Sequence, residues 1–113
     1  MSNDALQKLL EFEKMEKGHK ESFFDIKKEF ATKKIELLKK QCGEKTDLRI
    51  AGIQDVQKNG YTPELVKKCL DKKIALHEKN IQEWSALCEQ KREKMKSWVE
   101  KNKIEREAFK KGL

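Results

Sequence analysis

The sequence predicts an all-α fold, an elongated antiparallel hairpin of two long, coiled-coil-like helices with a short third helix near the turn. Apolar residues recur at alternating spacings of three and four residues, the repeat of a helix packed along another helix. One proline and five glycines in 113 residues leave few positions at which strands could turn. We therefore expect one helical domain over residues 1–113.

Helix one is predicted over about 4–42. Asn3 or Asp4 is the expected N-cap, and Gly43 is expected to end the helix, because glycine readily takes the left-handed conformation of a helix C-cap. A heptad repeat runs along the segment at Leu9, Phe12, Glu16, His19, Phe23, Ile26, Phe30, Lys33 and Leu37.

A short helix is predicted over about 46–58. Thr46 and Asp47 offer an N-cap, and Asn59-Gly60 offers a C-terminal stop. We expect this segment to pack across the end of the hairpin through one apolar face, formed by Leu48, Ile50, Ile53 and Val56.

Helix three is predicted over about 63–111 and has the clearest start in the chain. Thr62 is the expected cap, Pro63 takes the first helical position, and Glu64 lies near the positive end of the helix dipole. Its heptad repeat comprises Leu70, Ile74, His77, Ile81, Trp84, Cys88, Lys91, Met95, Trp98, Asn102, Glu105 and Phe109.

Several positions of these repeats are polar where a coiled coil would place aliphatic residues. Buried polar groups at such positions fix register and oligomer state. Alternatively, the helices separate locally and the long side chains reach water. The positions concerned are Glu16, His19, Lys33, Lys91, Asn102 and Glu105.

The predicted lengths indicate a non-enzymatic interaction protein. At about 1.5 Å per residue, helix three is longer than helix one, so about its last ten residues should extend past helix one. An apolar stripe that its own chain cannot cover favours a protein partner or a second copy of the chain. The expected partner-binding residues are Trp84, Met95, Trp98 and Phe109.

A basic ridge near the C-terminus suggests an alternative function. The net charge is +7, and residues 62–113 carry 14 Lys and Arg against 9 Asp and Glu. Such a ridge could bind nucleic acid or another polyanion. The pattern is more typical of a solvated face, because glutamates stand three residues before several of its lysines and would repel phosphate. The ridge comprises Arg92, Lys96, Lys103, Arg106 and Lys110.

Other classes of function find no support in the residues. The chain shows no catalytic constellation, no cofactor fingerprint and no zinc-ligand spacing, so we expect neither catalysis nor a metal or cofactor. Whether Cys42 and Cys69 pair is left open. With no apparent signal peptide and no stretch of about twenty apolar residues, we expect an intracellular, cytoplasmic protein, a nuclear location being equally compatible.

Overall fold

A computed structural model describes residues 3–113, and this part of the chain is all-helical. It contains two long helices, α1 (Asn3–Asn59) and α2 (Pro63–Lys111), and no strand. The prediction of an all-α helical hairpin is therefore confirmed for these residues. Neither of the two described helices contains an apolar segment long enough to cross a membrane.

Contacts divide the chain into two compact units. The terminal unit comprises residues 3–31 and Glu89–Leu113, and the turn unit comprises Thr32–Cys88. Each unit contains a segment of both helices.

The short third helix was predicted wrongly, because α1 continues without a break from Asn3 to Asn59. Gly43 keeps a negative φ inside the helix. The Thr46 hydroxyl donates to the Cys42 carbonyl at 2.9 Å, which places it within a helical turn instead of at a cap. A glycine inside a helix costs only about 1 kcal/mol, which the packing of a long helix readily offsets.

The connection between the helices has the predicted caps. Gly60 adopts φ 80°, and its N–H donates to the Val56 carbonyl at 2.9 Å, a left-handed C-cap that ends α1. The Thr62 hydroxyl then accepts a hydrogen bond of 3.2 Å from the Leu65 N–H, and α2 begins at Pro63.

In the terminal unit the helices pack antiparallel through the predicted repeats. The rings of Phe12 and Phe109 lie 5.4 Å apart, and those of Phe23 and Trp98 lie 5.2 Å apart. Among the described residues, the buried hydrophobic side chains are Ile26 and Phe30. The predicted extension of α2 past helix one is wrong, since Phe12 of α1 already contacts Phe109 near the end of α2.

The polar positions of the terminal unit behave in two ways. His19 Nε2 lies 2.5 Å from Glu105 Oε2, so these two residues pair across the helices. Asn102 is only 2% exposed, and its Nδ2 has no hydrogen-bond partner. Lys91, in contrast, is exposed to solvent. Both interpretations of the polar repeat therefore apply, each to different residues.

The buried contact between the helices at the centre of the turn unit is polar. Its buried side chains are Gln41 and Asn80, and the Gln41 amide donates to the Asn80 main-chain carbonyl at 3.0 Å. Around this pair the helices again run antiparallel. The half-buried positions of α2 that face α1 are Val66, Cys69, Leu76, Glu83, Trp84 and Leu87.

The repeat predicted for the first half of α2 is therefore displaced by one residue. Five predicted positions are exposed to solvent: Leu70, Ile74, His77, Ile81 and Cys88. The residues one position earlier in the chain face α1 or neighbour residues that face α1. Leu87 and Met95 are both half-buried and eight residues apart. A regular heptad alternates steps of three and four residues and so separates equivalent positions by seven, so this interval of eight shifts the repeat by one residue. The heptad that fits Met95–Phe109 cannot be extended backwards across this shift.

Candidate interaction surface

The expected partner-binding residues of the terminal unit are engaged within the chain. Trp98 packs against Phe23 with the two rings tilted by 49°, and its indole N–H donates to the His19 carbonyl at 3.2 Å. Phe109 packs on Phe12. Trp98, Phe109 and Met95 are all half-buried on the side of α2 that faces α1.

Trp84 occupies the corresponding position in the turn unit. It is half-buried, and the Lys34 ammonium lies 5.5 Å from its ring centroid, a cation–π contact between the two helices. The four predicted anchors are therefore distributed over both units, and each contributes to the packing of its own unit.

The basic ridge lies on exposed residues of α2 and is partly paired with acidic neighbours. Arg92 donates to Glu89, and Lys96 lies 4.0 Å from Glu93. Lys103, Arg106 and Lys110 form no ion pair within residues 3–113. The structure thus neutralises part of the ridge and leaves its C-terminal part available.

A second apolar stripe runs along both helices of the turn unit. Each residue of this stripe comes one position after a residue that lies on or next to the contact between the helices. One residue corresponds to a rotation of about 100° around the helix axis, so the stripe points away from the contact. Because the helices are antiparallel, this rotation brings the stripes of α1 and α2 to the same side of the unit. We call this side the open face; it comprises Leu38, Cys42, Lys45, Arg49, Ile53 and Val56 of α1 and Leu70, Ile74, His77 and Ile81 of α2.

The apolar members of the open face are well exposed. Leu38, Ile53, Leu70, Ile74 and Ile81 have relative exposures of 43%, 53%, 51%, 56% and 54%. On α2 these residues are spaced by four and seven and form an apolar row. On α1, Leu38 and Ile53 are fifteen residues apart, and Cys42, Lys45 and Arg49 continue the row between them at spacings of three and four.

Two depressions on the turn unit show that the stripes of α1 and α2 adjoin. One is lined from α1 by Lys45 and Arg49 and from α2 by Lys73 and His77, over a floor of Leu48 and Leu76. The other, closer to the connection, includes Ile53, Val56, Val66 and Leu70. Between Lys45 and Val56 of α1, the open face is consequently a groove between the two helices.

The charges on the open face have one sign. Lys45 and Arg49 belong to it and Lys73 lies at its edge, and none of the three forms an ion pair with a described residue. No carboxylate is among the open-face residues. Asp55, which lines the depression near the connection, lies at the helix contact itself.

On the opposite side of the turn unit, ion pairs connect α1 and α2. Lys40 lies 2.7 Å from Glu83, and Lys79 lies 3.3 Å from Glu44. The hydrogen bond from Lys40 lowers the pKa of Glu83, and the same bond raises the pKa of Lys40. In this cluster, which we call the charged face, each carboxylate is paired with a lysine, whereas the cations of the open face have no ion-pair partner among the described residues.

No family model matches the chain, and neither a curated protein nor a solved structure is significantly similar to it. Its function has to be inferred from the surfaces described above.

The cysteines and acidic residues provide no further site. Cys42, Cys69 and Cys88 are free thiols, and Cys69 lies beside Gly52, where the helices approach closely. No group of three or more potential metal ligands occurs within residues 3–113.

Sequence reasoning missed the open face, although a signal for it exists. In the first half of α2, apolar residues occur in two rows one residue apart, at Val66, Cys69 and Leu76 and at Leu70 and Ile74. A helix that is apolar over more than a single stripe has more surface to bury than one partner helix covers. The prediction assigned one of these rows to the hairpin contact and overlooked the other.

Proposed function

We propose that this chain is a non-enzymatic helical interaction protein that docks a partner on the open face of its turn unit. One observation carries the proposal. The buried side chains of the turn unit are the polar Gln41 and Asn80, whereas its large apolar side chains on the open face remain about half exposed.

In a hydrophobic core the apolar side chains are buried and the polar ones exposed, and the turn unit shows the opposite arrangement. Apolar surface removed from water is the main stabilising contribution to folding and association. Completing the burial of a half-exposed leucine or isoleucine contributes about 1 kcal/mol. A partner that covers the two rows would therefore gain stabilisation that the chain alone does not obtain.

The four residues predicted to anchor a partner fit a supporting role in this proposal. Trp84, Met95, Trp98 and Phe109 hold the helices together within their units, so that the surfaces of those units are presented in a defined geometry. Rigid presentation favours binding, because less conformational freedom is lost on association.

Site-specific photo-crosslinking in native extract tests the proposal. The substitutions Leu70→p-benzoylphenylalanine and Lys68→p-benzoylphenylalanine place the same probe on opposite sides of α2, two residues apart. We expect a discrete protein adduct from position 70 and none from position 68. Equal adducts at both positions, or none at either, would contradict the proposal.

A paired set of substitutions separates docking from folding. Ile74→Ser with Ile81→Ser alters the open face, and Ala75→Ser with Gln82→Ser alters the other side of α2 at the same height. All four residues are exposed, so both variants should retain the helical circular dichroism spectrum. We expect the adduct at position 70 to disappear in the first variant only.

Polyanion binding through the basic ridge is a second candidate, favoured by the unpaired cations Lys103, Arg106 and Lys110. Neutralising these three residues together should abolish binding of duplex and single-stranded nucleic acid at low salt and leave the crosslink at position 70 unchanged. Absence of nucleic-acid binding by the unaltered chain at low salt would dismiss this candidate.

A further inference from the structure

We infer that the partner of the open face is an amphipathic helix that carries acidic residues beside its apolar stripe. This inference rests on the proposed function and specifies the chemistry of the occupant. It is drawn from the shape of the groove, the sign of its charges and the arrangement of the cations around the apolar rows.

The shape of the groove fits a helix. Two antiparallel helices with an apolar row on the same side form the floor on which a third helix completes a three-helix bundle. The rows extend from Leu38 to Val56 along α1, which is about 27 Å of helix, the length of about five turns. A docked helix would present apolar residues at spacings of three and four to both rows.

The charges of the groove select an acidic occupant. Lys45 and Arg49 stand within the α1 row, between Leu38 and Ile53, and Lys73 faces them from α2. With no carboxylate on the open face, these cations are available to glutamate or aspartate side chains of a docked helix. Complementary charges flanking an apolar stripe set the register and orientation of helix pairs.

The same charges disfavour a second copy of the chain bound through the same face. In a symmetric contact both faces would bring Lys45, Arg49 and Lys73 to the interface, and neither face would supply a carboxylate to pair with them. Like charges facing each other oppose association, so the cations act against this homodimer while they favour an acidic helix.

Binding of designed peptides tests the inference directly. The probe is a fluorescein-labelled peptide of about 18 residues, the helical length that spans the open face. It carries leucines at spacings of three and four, flanked by glutamates. One comparison peptide replaces every glutamate with glutamine, and another has the composition of the probe in scrambled order. Fluorescence anisotropy of each peptide is titrated with the full chain.

Matched charge reversals locate the binding site. The open-face variant carries Lys45→Glu and Arg49→Glu, and the control carries Lys14→Glu and Lys28→Glu in the terminal unit. All four residues are exposed, and the described residues form no ion pair with them. The two variants have the same net charge, so a general attraction between acidic peptide and basic protein affects them equally.

We expect the acidic peptide to bind at least about tenfold more tightly than the glutamine peptide, and the scrambled peptide to bind no more tightly than the glutamine peptide. The open-face charge reversal should weaken binding of the acidic peptide by about tenfold or more relative to the control reversal. Ile74→Ser with Ile81→Ser should abolish binding of both amphipathic peptides.

Other outcomes overturn the inference in distinguishable ways. If the serine substitutions abolish peptide binding but charge reversal at Lys45 and Arg49 has no effect, the groove binds helices without selecting acidic ones, and the proposed function stands. If the serine substitutions have no effect on peptide binding or on the crosslink at position 70, the proposed function fails as well.

Two further measurements identify a different occupant. A dimer in sedimentation equilibrium that the serine substitutions dissociate would assign the open face to a second copy and overturn the inference. Duplex DNA binding that depends on Lys45 and Arg49 but not on Ile74 and Ile81, without binding of the acidic peptide, would assign the face to a polyanion and equally overturn it.

Discussion

Gln41 donates its side-chain amide to the main-chain carbonyl of Asn80 at 3.0 Å, and these two polar residues are the buried pair at the centre of the turn unit. The bond uses the backbone of Asn80 and leaves both polar atoms of its side chain without a partner. Because a buried amide without hydrogen-bond partners is destabilising, the side chain of Asn80 lowers the free energy of unfolding.

Replacing Asn80 with leucine should therefore stabilise the protein. Asn80→Leu removes the unpartnered amide, retains the main-chain acceptor for Gln41 and adds apolar contact between the helices. We expect the free energy of unfolding in urea to rise by about 1 kcal/mol. Gln82→Leu, at an exposed position of the same helix, is the control and should change it by less than about 0.5 kcal/mol. A loss of stability in Asn80→Leu would show that the amide has a partner.

Trp98 should contribute mainly to the stability of the chain. Trp98→Ala removes the ring contact with Phe23 and the hydrogen bond to the His19 carbonyl. We expect a decrease of roughly 2 kcal/mol in the free energy of unfolding, less than for a completely buried tryptophan because Trp98 is half-buried. Trp98→Phe preserves an aromatic contact and should lose only about 1 kcal/mol. Circular dichroism in urea measures both, and unchanged stability in Trp98→Ala would contradict the packing described.

Two glycines should respond in opposite directions to alanine. Gly43 lies inside α1 with a negative φ, and an added Cβ would meet no atom within 4 Å. Gly43→Ala should therefore raise stability by about 1 kcal/mol. Gly60 has φ 80°, so Gly60→Ala should lower stability by about 1 kcal/mol. Thermal unfolding of the two variants distinguishes a continuous α1 from a helix that ends at Gly43, for which Gly43→Ala would be destabilising.

The charged face should make stability depend on pH through Glu83. Its pKa is lowered by the hydrogen bond from Lys40, so its contribution is present above the ordinary value of 4.5 and is lost as the pH falls through the folded-state pKa. The pKa of Lys40 is raised by the same hydrogen bond, so the contribution of Lys40 is present below its ordinary value of 10.5 and is lost as the pH rises through the folded-state pKa. Glu83→Gln should therefore be less stable than the unaltered chain at neutral pH and equally stable in acid.

The measurement is chemical denaturation of both proteins across this pH range. Because Lys40 is solvent-exposed, the difference should be small and should shrink as salt is added. Glu78→Gln, an exposed position without an ion pair among the described residues, serves as the control and should follow the unaltered chain at every pH.

Local sequence signals predicted the elements of this fold that depend on neighbouring residues. The Thr62-Pro63 start of α2 and the Asn59-Gly60 stop of α1 are caps whose chemistry lies within a few residues, and both are confirmed. The heptad from Phe12 to Leu37 likewise predicted the side of α1 that packs, because these positions are at least half-buried. Leu9, the first position of the predicted repeat, is an exception and is 54% exposed. These features follow from residue type and spacing alone.

Packing between the helices decided the remaining features. Gly43 and Thr46 carry the same local signals as a helix end, but the gain from continuing a packed helix exceeds the small cost of a glycine, so α1 reaches Asn59. The side of α2 that packs on α1 differs from the predicted side because α2 carries two apolar rows one residue apart, and either row could pack on α1. Spacing cannot choose between two such rows; packing against the opposite helix determines which row is buried and which remains exposed.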